Sequence, residues 1–78
     1  MPVFLRVGPY SFYFFSNEQN EPPHIHIERD EDDAKFWLNP VRLAANHGFR
    51  TRELNVIQKL VFENEIYLLE RWNAYFTA

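Results

Sequence analysis

The first half of the chain contains short apolar segments with a repeat of two residues, the pattern typical of β-strands. The alternation is strictest in residues 24–29, where two isoleucines alternate with two histidines and a glutamate. Comparable segments at 3–7, 10–15 and 34–38 are separated by turn-forming residues such as Gly8-Pro9. We predict an antiparallel sheet of about four strands within residues 3–38. Residues 41–50 fit either a short strand or one helical turn.

The repeat changes to 3.6 residues in the last third of the chain, where residues 52–76 contain no Gly or Pro. One face collects the apolar side chains Leu54, Ile57, Val61, Leu68, Trp72 and Tyr75. This pattern predicts a long C-terminal amphipathic helix at about 52–76, or two helices broken near 63–65. Thr51 is the predicted N-cap. Glu65 lies within the apolar stripe, which favours a break or a position at its rim.

These elements predict an α+β fold in which a single domain, 1–78, packs one face of the sheet on the C-terminal helix. Strand alternation then sorts the side chains between the two faces. Ile25, Ile27, Phe36 and Leu38 should contact the helix, whereas His24, His26, Glu28, Lys35 and Trp37 should share the opposite face.

The second predicted strand is aromatic on both faces, with Tyr10, Phe12 and Phe14 on one and Tyr13 and Phe15 on the other. A two-layer fold covers only one of these sets, so the other should be exposed. We therefore expect the free chain to associate at high concentration, with a second copy or with a partner protein.

Composition narrows the functional classes. The chain has 78 residues, no Cys and only two Gly, which excludes disulfides, thiolate metal sites and a Gly-rich phosphate loop. Its net charge of -3 argues against non-specific binding of nucleic acid, and seven acidic residues against one arginine fall within 17–33. With no apolar stretch long enough for a membrane span, we expect a soluble cytoplasmic protein.

His24 and His26 are the strongest candidates for metal binding or catalysis. Side chains two apart on a strand project together, so the two imidazoles can share a divalent metal or act as acid and base. Glu28 continues the row as a third candidate for catalysis, and His47 is a remote candidate for a third metal ligand. Two histidines without any ligand remain the alternative.

A second group of candidates surrounds the start of the helix. Arg42, His47, Arg50 and Arg52 would place cations beside unpaired backbone N–H groups, an arrangement that binds anions or nucleic acid. If this group adjoins the histidine face, the two form one basic cleft suited to RNA. The alternative is ordinary solvated charge.

The segment Pro22-Pro23-His24-Ile25-His26, with the acidic turn and residues 34–38 after it, resembles a family of small bacterial proteins. The family is described as domain of unknown function 4160. Further similarity covers residues 5–12, the aromatic strand leading to Ser16-Asn17, residues 52–54 and residues 68–73. His24 and His26 carry over only as signature positions of the motif.

The resemblance implies a genomic context rather than a particular reaction. Members are often encoded beside a second small protein, sometimes one with a DNA-binding helix-turn-helix, and the pair looks like a type II toxin–antitoxin module. The first hypothesis is therefore a toxin or toxin-like component acting on RNA through the His24/His26 face. The alternatives are a non-catalytic interaction module, as homodimer or heteromer, and a histidine-based metal-binding protein; whether the chain is an enzyme stays open.

Overall fold

A five-stranded antiparallel sheet followed by two helices forms the fold, as seen in a computed structural model that describes residues 3–15, 18 and 20–77, without the side chain of Thr77. The elements are β1 (Val3–Val7), β2 (Tyr10–Tyr13), β3 (His24–Arg29), β4 (Asp32–Leu38), β5 (Val41–His47), α1 (Thr51–Glu63) and α2 (Glu65–Thr77). The strands lie side by side in chain order. Met1, Pro2 and the Ser16-Asn17 part of the family resemblance lie outside the described residues. The predicted α+β class is confirmed.

The sheet has five strands rather than about four, because the ambiguous segment after Pro40 forms β5. Val41 pairs with Leu38, and the pairing continues to His47 opposite Asp33. A register shift between Lys35 and Phe36 lets β5 follow β4 over its whole length. Pairing with β4 thus selects the strand over the helical turn.

Helix α1 begins within two residues of Arg52, as predicted, but Thr51 is not its N-cap. Arg50 takes that position with an extended backbone and no side-chain cap, and its carbonyl accepts the N–H of Leu54 at 2.9 Å. The turn before it is organised by Asn46, whose side chain bonds both the N–H and the carbonyl of Phe49. The chain therefore enters the helix one residue earlier than the hydroxyl of Thr51 suggested.

Asn64 divides the C-terminal region into two helices, which confirms the second of the two predicted forms. Its side-chain amide donates to the carbonyl of Leu60 at 2.8 Å, at the end of α1. Its own carbonyl accepts the N–H of Leu68 at 2.9 Å, in the first turn of α2. Glu65 opens α2 in a half-buried position, consistent with the predicted break. Neither described helix is long and apolar enough to cross a membrane.

The core lies between one face of the sheet and the two helices. The four side chains predicted to face the helix, Ile25, Ile27, Phe36 and Leu38, are all fully buried. The helices add Ile57, Val61, Leu68 and Trp72 to the same cluster. Phe12 and Phe14 also belong to it. Of the other aromatic set, Phe15 is 39% exposed but Tyr13 is buried, so the prediction that a whole set is exposed is only half right. Association of the free chain stays a prediction.

A polar cluster ties the sheet to the start of α1. Glu53 accepts hydrogen bonds from Arg29 at the end of β3, one of them at 2.7 Å, and from the hydroxyl of Tyr10 at 2.8 Å. Gly48 precedes this helix with a φ of +112°, and an added Cβ there would lie 2.1 Å from the carboxylate of Asp32. The end of β3 and the start of α1 are therefore held together closely.

Candidate metal centre

His24 and His26 lie at the start of β3, on the face away from the buried isoleucines. Pro22 and Pro23 lead the chain into the strand, and the Pro23 carbonyl accepts the N–H of Leu38 at 3.0 Å. With Ile25 and Ile27 turned into the core, alternation places both imidazoles on the other face. Their ring centroids are 5.2 Å apart.

The carboxylate of Glu18 meets both imidazoles. Its Oε1 lies 3.0 Å from Nε2 of His24 and 2.9 Å from Nε2 of His26, and its Oε2 lies 3.0 Å from Nε2 of His26. The potential ligand atoms of the three residues all lie within 4.8 Å of one another. Glu18 belongs to the connection between β2 and β3, so the cluster joins this connection to the strand.

Sequence reasoning named Glu28 as the third member and missed Glu18. Glu28 continues the row on β3, but it is exposed and pairs across the sheet with Ser11 and Asp33. The available signal was weaker: two acidic residues, Glu18 and Glu21, precede the Pro-Pro pair that turns the chain back into the strand. The spacing alone does not show which of them meets the histidines.

His24 has one ring nitrogen satisfied and one without a hydrogen bond. Its Nδ1–H donates to the carbonyl of Pro22 at 2.9 Å, so Nε2 is the nitrogen that can offer a lone pair to a ligand. Nε2 is buried and lacks a hydrogen-bond partner, although the Glu18 oxygen is close to it. Two electron-rich atoms at 3.0 Å favour a cation between them, either a proton or a metal ion.

The electrostatics of Glu18 and His26 suit a metal ligand set. Burial alone would raise the pKa of Glu18, but contacts with His24, His26 and the N–H of Phe15 outweigh it, so its pKa lies below its usual value. Burial lowers the pKa of His26 despite the neighbouring carboxylate. An ionised carboxylate and a neutral imidazole are the forms that bind metal ions.

Aromatic rings surround the cluster. Tyr13 stacks on His26 with centroids 5.3 Å apart, and the edge of Phe15 approaches the same ring at 4.8 Å. Trp37 and Trp72 flank His24 at 5.7 and 4.8 Å. The cluster therefore lies in apolar surroundings, where charges interact more strongly than in water.

His24 lies on the predicted face of the sheet, but it also contacts helix α2, which the sequence had not suggested. Trp72, in the second half of α2, packs at the end of the sheet against both His24 and Phe14. His24 is consequently fully buried, whereas His26 keeps 12% of its side chain exposed. The histidine face is thus partly covered, with α2 at one side and the connection carrying Glu18 at the other.

Lys35 adds a positive charge next to the cluster. It pairs across the strands with His26 and donates a hydrogen bond to Glu21. Its ammonium also lies 4.7 Å from the ring centroid of Trp37. Lys35 and Glu21 therefore form a second tie between the connection and the sheet.

The basic residues predicted around the helix start are only partly brought together. Arg50 and Arg52 line one cleft of about 430 Å³, together with Arg29, Asp32, Gly48, Glu53 and Val56. His47 is 71% exposed beside Asp33. Arg42 pairs with Trp37 near the other end of β5. The cleft therefore has mixed charge and does not include all four residues.

This cleft and the histidine cluster lie at opposite ends of β3. Arg29, which lines the cleft, is the last residue of the strand, and His24 is the first. Five residues of extended chain separate them by about 16 Å. The two features do not form the single basic cleft that sequence reasoning considered for RNA.

Comparison with known proteins identifies a family that matches most of the chain. The family described as Domain of unknown function (DUF4160) matches residues 10–73, which is most of the chain and includes the whole cluster. Neither a curated protein nor a solved structure matches the chain.

Proposed function

We propose that this chain, which belongs to the DUF4160 family, is a metal-binding protein that holds one divalent ion through Glu18, His24 and His26. One observation carries the proposal. The buried Nε2 of His24 has no hydrogen-bond partner and faces a carboxylate that also contacts Nε2 of His26. A divalent cation would satisfy all three groups at once.

The donor atoms indicate which ion is preferred. Two imidazole nitrogens and one carboxylate oxygen suit zinc and neighbouring transition metals, whereas Mg²⁺ and Ca²⁺ prefer oxygen ligands alone. Ligand atoms bound at about 2.0–2.1 Å around a tetrahedral ion lie roughly 3.4 Å apart. The 3.0 Å separation between His24 and Glu18 therefore needs to widen by only a few tenths of an ångström.

Neighbouring groups would orient the two imidazoles. The Pro22 carbonyl holds the proton of His24 on Nδ1 and directs Nε2 into the site. Tyr13 and Phe15 fix the plane of the His26 ring from two sides. These contacts hold both imidazoles in fixed orientations.

Calorimetric titration of untagged, chelator-treated protein with zinc tests the proposal. We expect one ion per chain and at least a tenfold loss of affinity in Glu18→Gln, which keeps the size of the side chain but removes its charge. Glu31→Gln is the matched control, because Glu31 is an exposed residue of the turn after β3. Absence of zinc binding in the native chain, or equal losses in both variants, would contradict the proposal.

The family resemblance supports a proposal about the cellular role. In this proposal the chain is a toxin or toxin-like component that acts on RNA. Its cognate partner is a small protein encoded nearby. Regulated expression with and without the neighbouring reading frame tests this role. Growth arrest that the neighbour relieves would support it, and arrest that persists in Glu18→Gln would separate it from the metal site.

A non-catalytic interaction module is the second candidate, favoured by apolar side chains at the junction of α1 and α2. Phe62 is 62% exposed and Ile66 is 74% exposed, on either side of the break at Asn64. Such residues at the surface are typical of contacts with another chain. A stable complex that forms equally with and without zinc, and causes no growth arrest, would favour this function.

A further inference from the structure

We infer that the ion at Glu18, His24 and His26 is structural, fastening the connection between β2 and β3, together with helix α2, to the sheet. The inference rests on the proposed metal binding and says what the bound ion does for the fold. Four observations carry it: the few backbone bonds of the connection, the contact between a ligand and α2, the enclosure of the ligands, and the size of the chain.

A single backbone bond of the described connection reaches the sheet: the carbonyl of Pro23, its last residue, accepts the N–H of Leu38 at 3.0 Å. In its described part, Glu18 N–H bonds the Phe15 carbonyl at 3.4 Å and Glu21 N–H bonds the Glu18 carbonyl at 3.1 Å, both within the connection itself. What joins it to the strands is mostly side chains: Glu18 at the two histidines, and Glu21 at Lys35. An ion held by Glu18 would turn a hydrogen-bonded contact into coordinate bonds.

The same ion would also fix the position of α2. Among its described side chains, this helix has only Leu68 and Trp72 in the buried core. The ring of Trp72 lies 4.8 Å from the ring of His24, so one of these two anchors rests on a metal ligand. Immobilising His24 therefore gives Trp72 a rigid surface to pack against.

The enclosure of the ligands argues against an open catalytic position. The side chains of His24, His26 and Glu18 are 0%, 12% and 14% exposed. Four aromatic rings, from Tyr13, Phe15, Trp37 and Trp72, lie around the two imidazoles. A bound ion would thus be shielded from a substrate by the side chains that hold it.

The small size of the chain favours a structural role for the ion. Chains of fewer than about 80 residues rarely obtain ample stability from a single core and commonly add disulfides, a metal or a partner. This chain has no cysteine, which leaves the metal and the partner. Because an assembled metal site exists only in the folded state, the free energy of binding adds to the free energy of folding.

Hydrogen–deuterium exchange of the full chain, with zinc and with chelator, tests the inference. We expect zinc to slow exchange at least tenfold in residues 18–26 and 68–76, and to slow it less in residues 51–54 at the start of α1. Glu18→Gln should lose this local protection, whereas Glu31→Gln should keep it. Trp72→Phe should keep the protection of the connection and lose part of that of α2.

The possible results separate this inference from the proposed function. Zinc binding without local protection, or with equal protection along the whole chain, would overturn the structural role and leave metal binding intact. No zinc binding at all would overturn both. If Glu18→Gln does not fold even with zinc present, the comparison of native protein with and without zinc decides the matter alone.

Discussion

His24→Ala in the metal-free chain is the most direct measure of what the histidine contributes by itself. The substitution removes a fully buried ring that packs between Trp37 and Trp72. It also removes the donor of the 2.9 Å hydrogen bond to the Pro22 carbonyl. An exposed histidine could be replaced with little change in stability, but His24 is fully buried, so a clear loss is expected.

The lost packing and the lost hydrogen bond together set how much His24→Ala lowers the free energy of unfolding. The hydrogen bond contributes about 1 kcal/mol net. Removing the ring leaves a cavity, for which about 2 kcal/mol is the low end of the range for large-to-small substitutions. We therefore expect His24→Ala to lower the free energy of unfolding by about 3 kcal/mol. That is a large share of the roughly 5–15 kcal/mol typical of a folded domain.

Urea unfolding followed by circular dichroism at 222 nm, in the presence of a chelator, measures this loss. His47→Ala is the control, since its side chain is 71% exposed, and it should change stability by less than about 0.5 kcal/mol. A loss in His24→Ala that is no larger than in the control would refute the reasoning. The ring would then not be the packed, hydrogen-bonded group that the structure shows.

Three further outcomes follow from other parts of the molecule. The hydrogen bond from Arg29 holds the pKa of Glu53 below 4.5, so the ionised carboxylate stabilises the fold above that pH. This contribution disappears as the pH falls through the lowered pKa, so the melting temperatures of Glu53→Gln and the native chain should converge in acid. Gly48→Ala should cost about 1–3 kcal/mol by chemical denaturation, because its positive φ and the Asp32 carboxylate both oppose a side chain, and an unchanged midpoint would contradict this. Phe62→Ser should reduce self-association in light scattering at high concentration, and a native chain that is monomeric throughout would contradict the predicted association.

The arrangement of the sheet and its core face could be predicted because strict alternation leaves little choice. Ile25 and Ile27 can be buried together only if His24 and His26 share the other face. The fifth strand could not be predicted in the same way. Its apolar residues, Val41, Leu43, Ala44 and Ala45, do not alternate strictly with polar ones, and the pairing with β4 that selects the strand is a contact between segments.

The candidate site, like the fifth strand, depends on contacts between segments and could be predicted only in part. Spacing along one strand identified His24 and His26, but it also pointed to Glu28, the next residue in that row. The carboxylate that reaches the imidazoles comes from Glu18, six residues before the first histidine and outside any regular element. The path of an irregular connection depends on its contacts, so no repeat in the sequence predicts it.

Both tryptophans of the chain flank the same histidine, and this limits what intrinsic fluorescence can report. Trp37 and Trp72 are the only indole groups, and each ring contacts His24. Emission at tryptophan wavelengths therefore follows one end of the molecule, whereas the far-ultraviolet signal is the sum over both helices, α1 and α2. If the end around His24 opens before the rest, the two optical signals will change at different denaturant concentrations, and their separation will measure how independently that end unfolds.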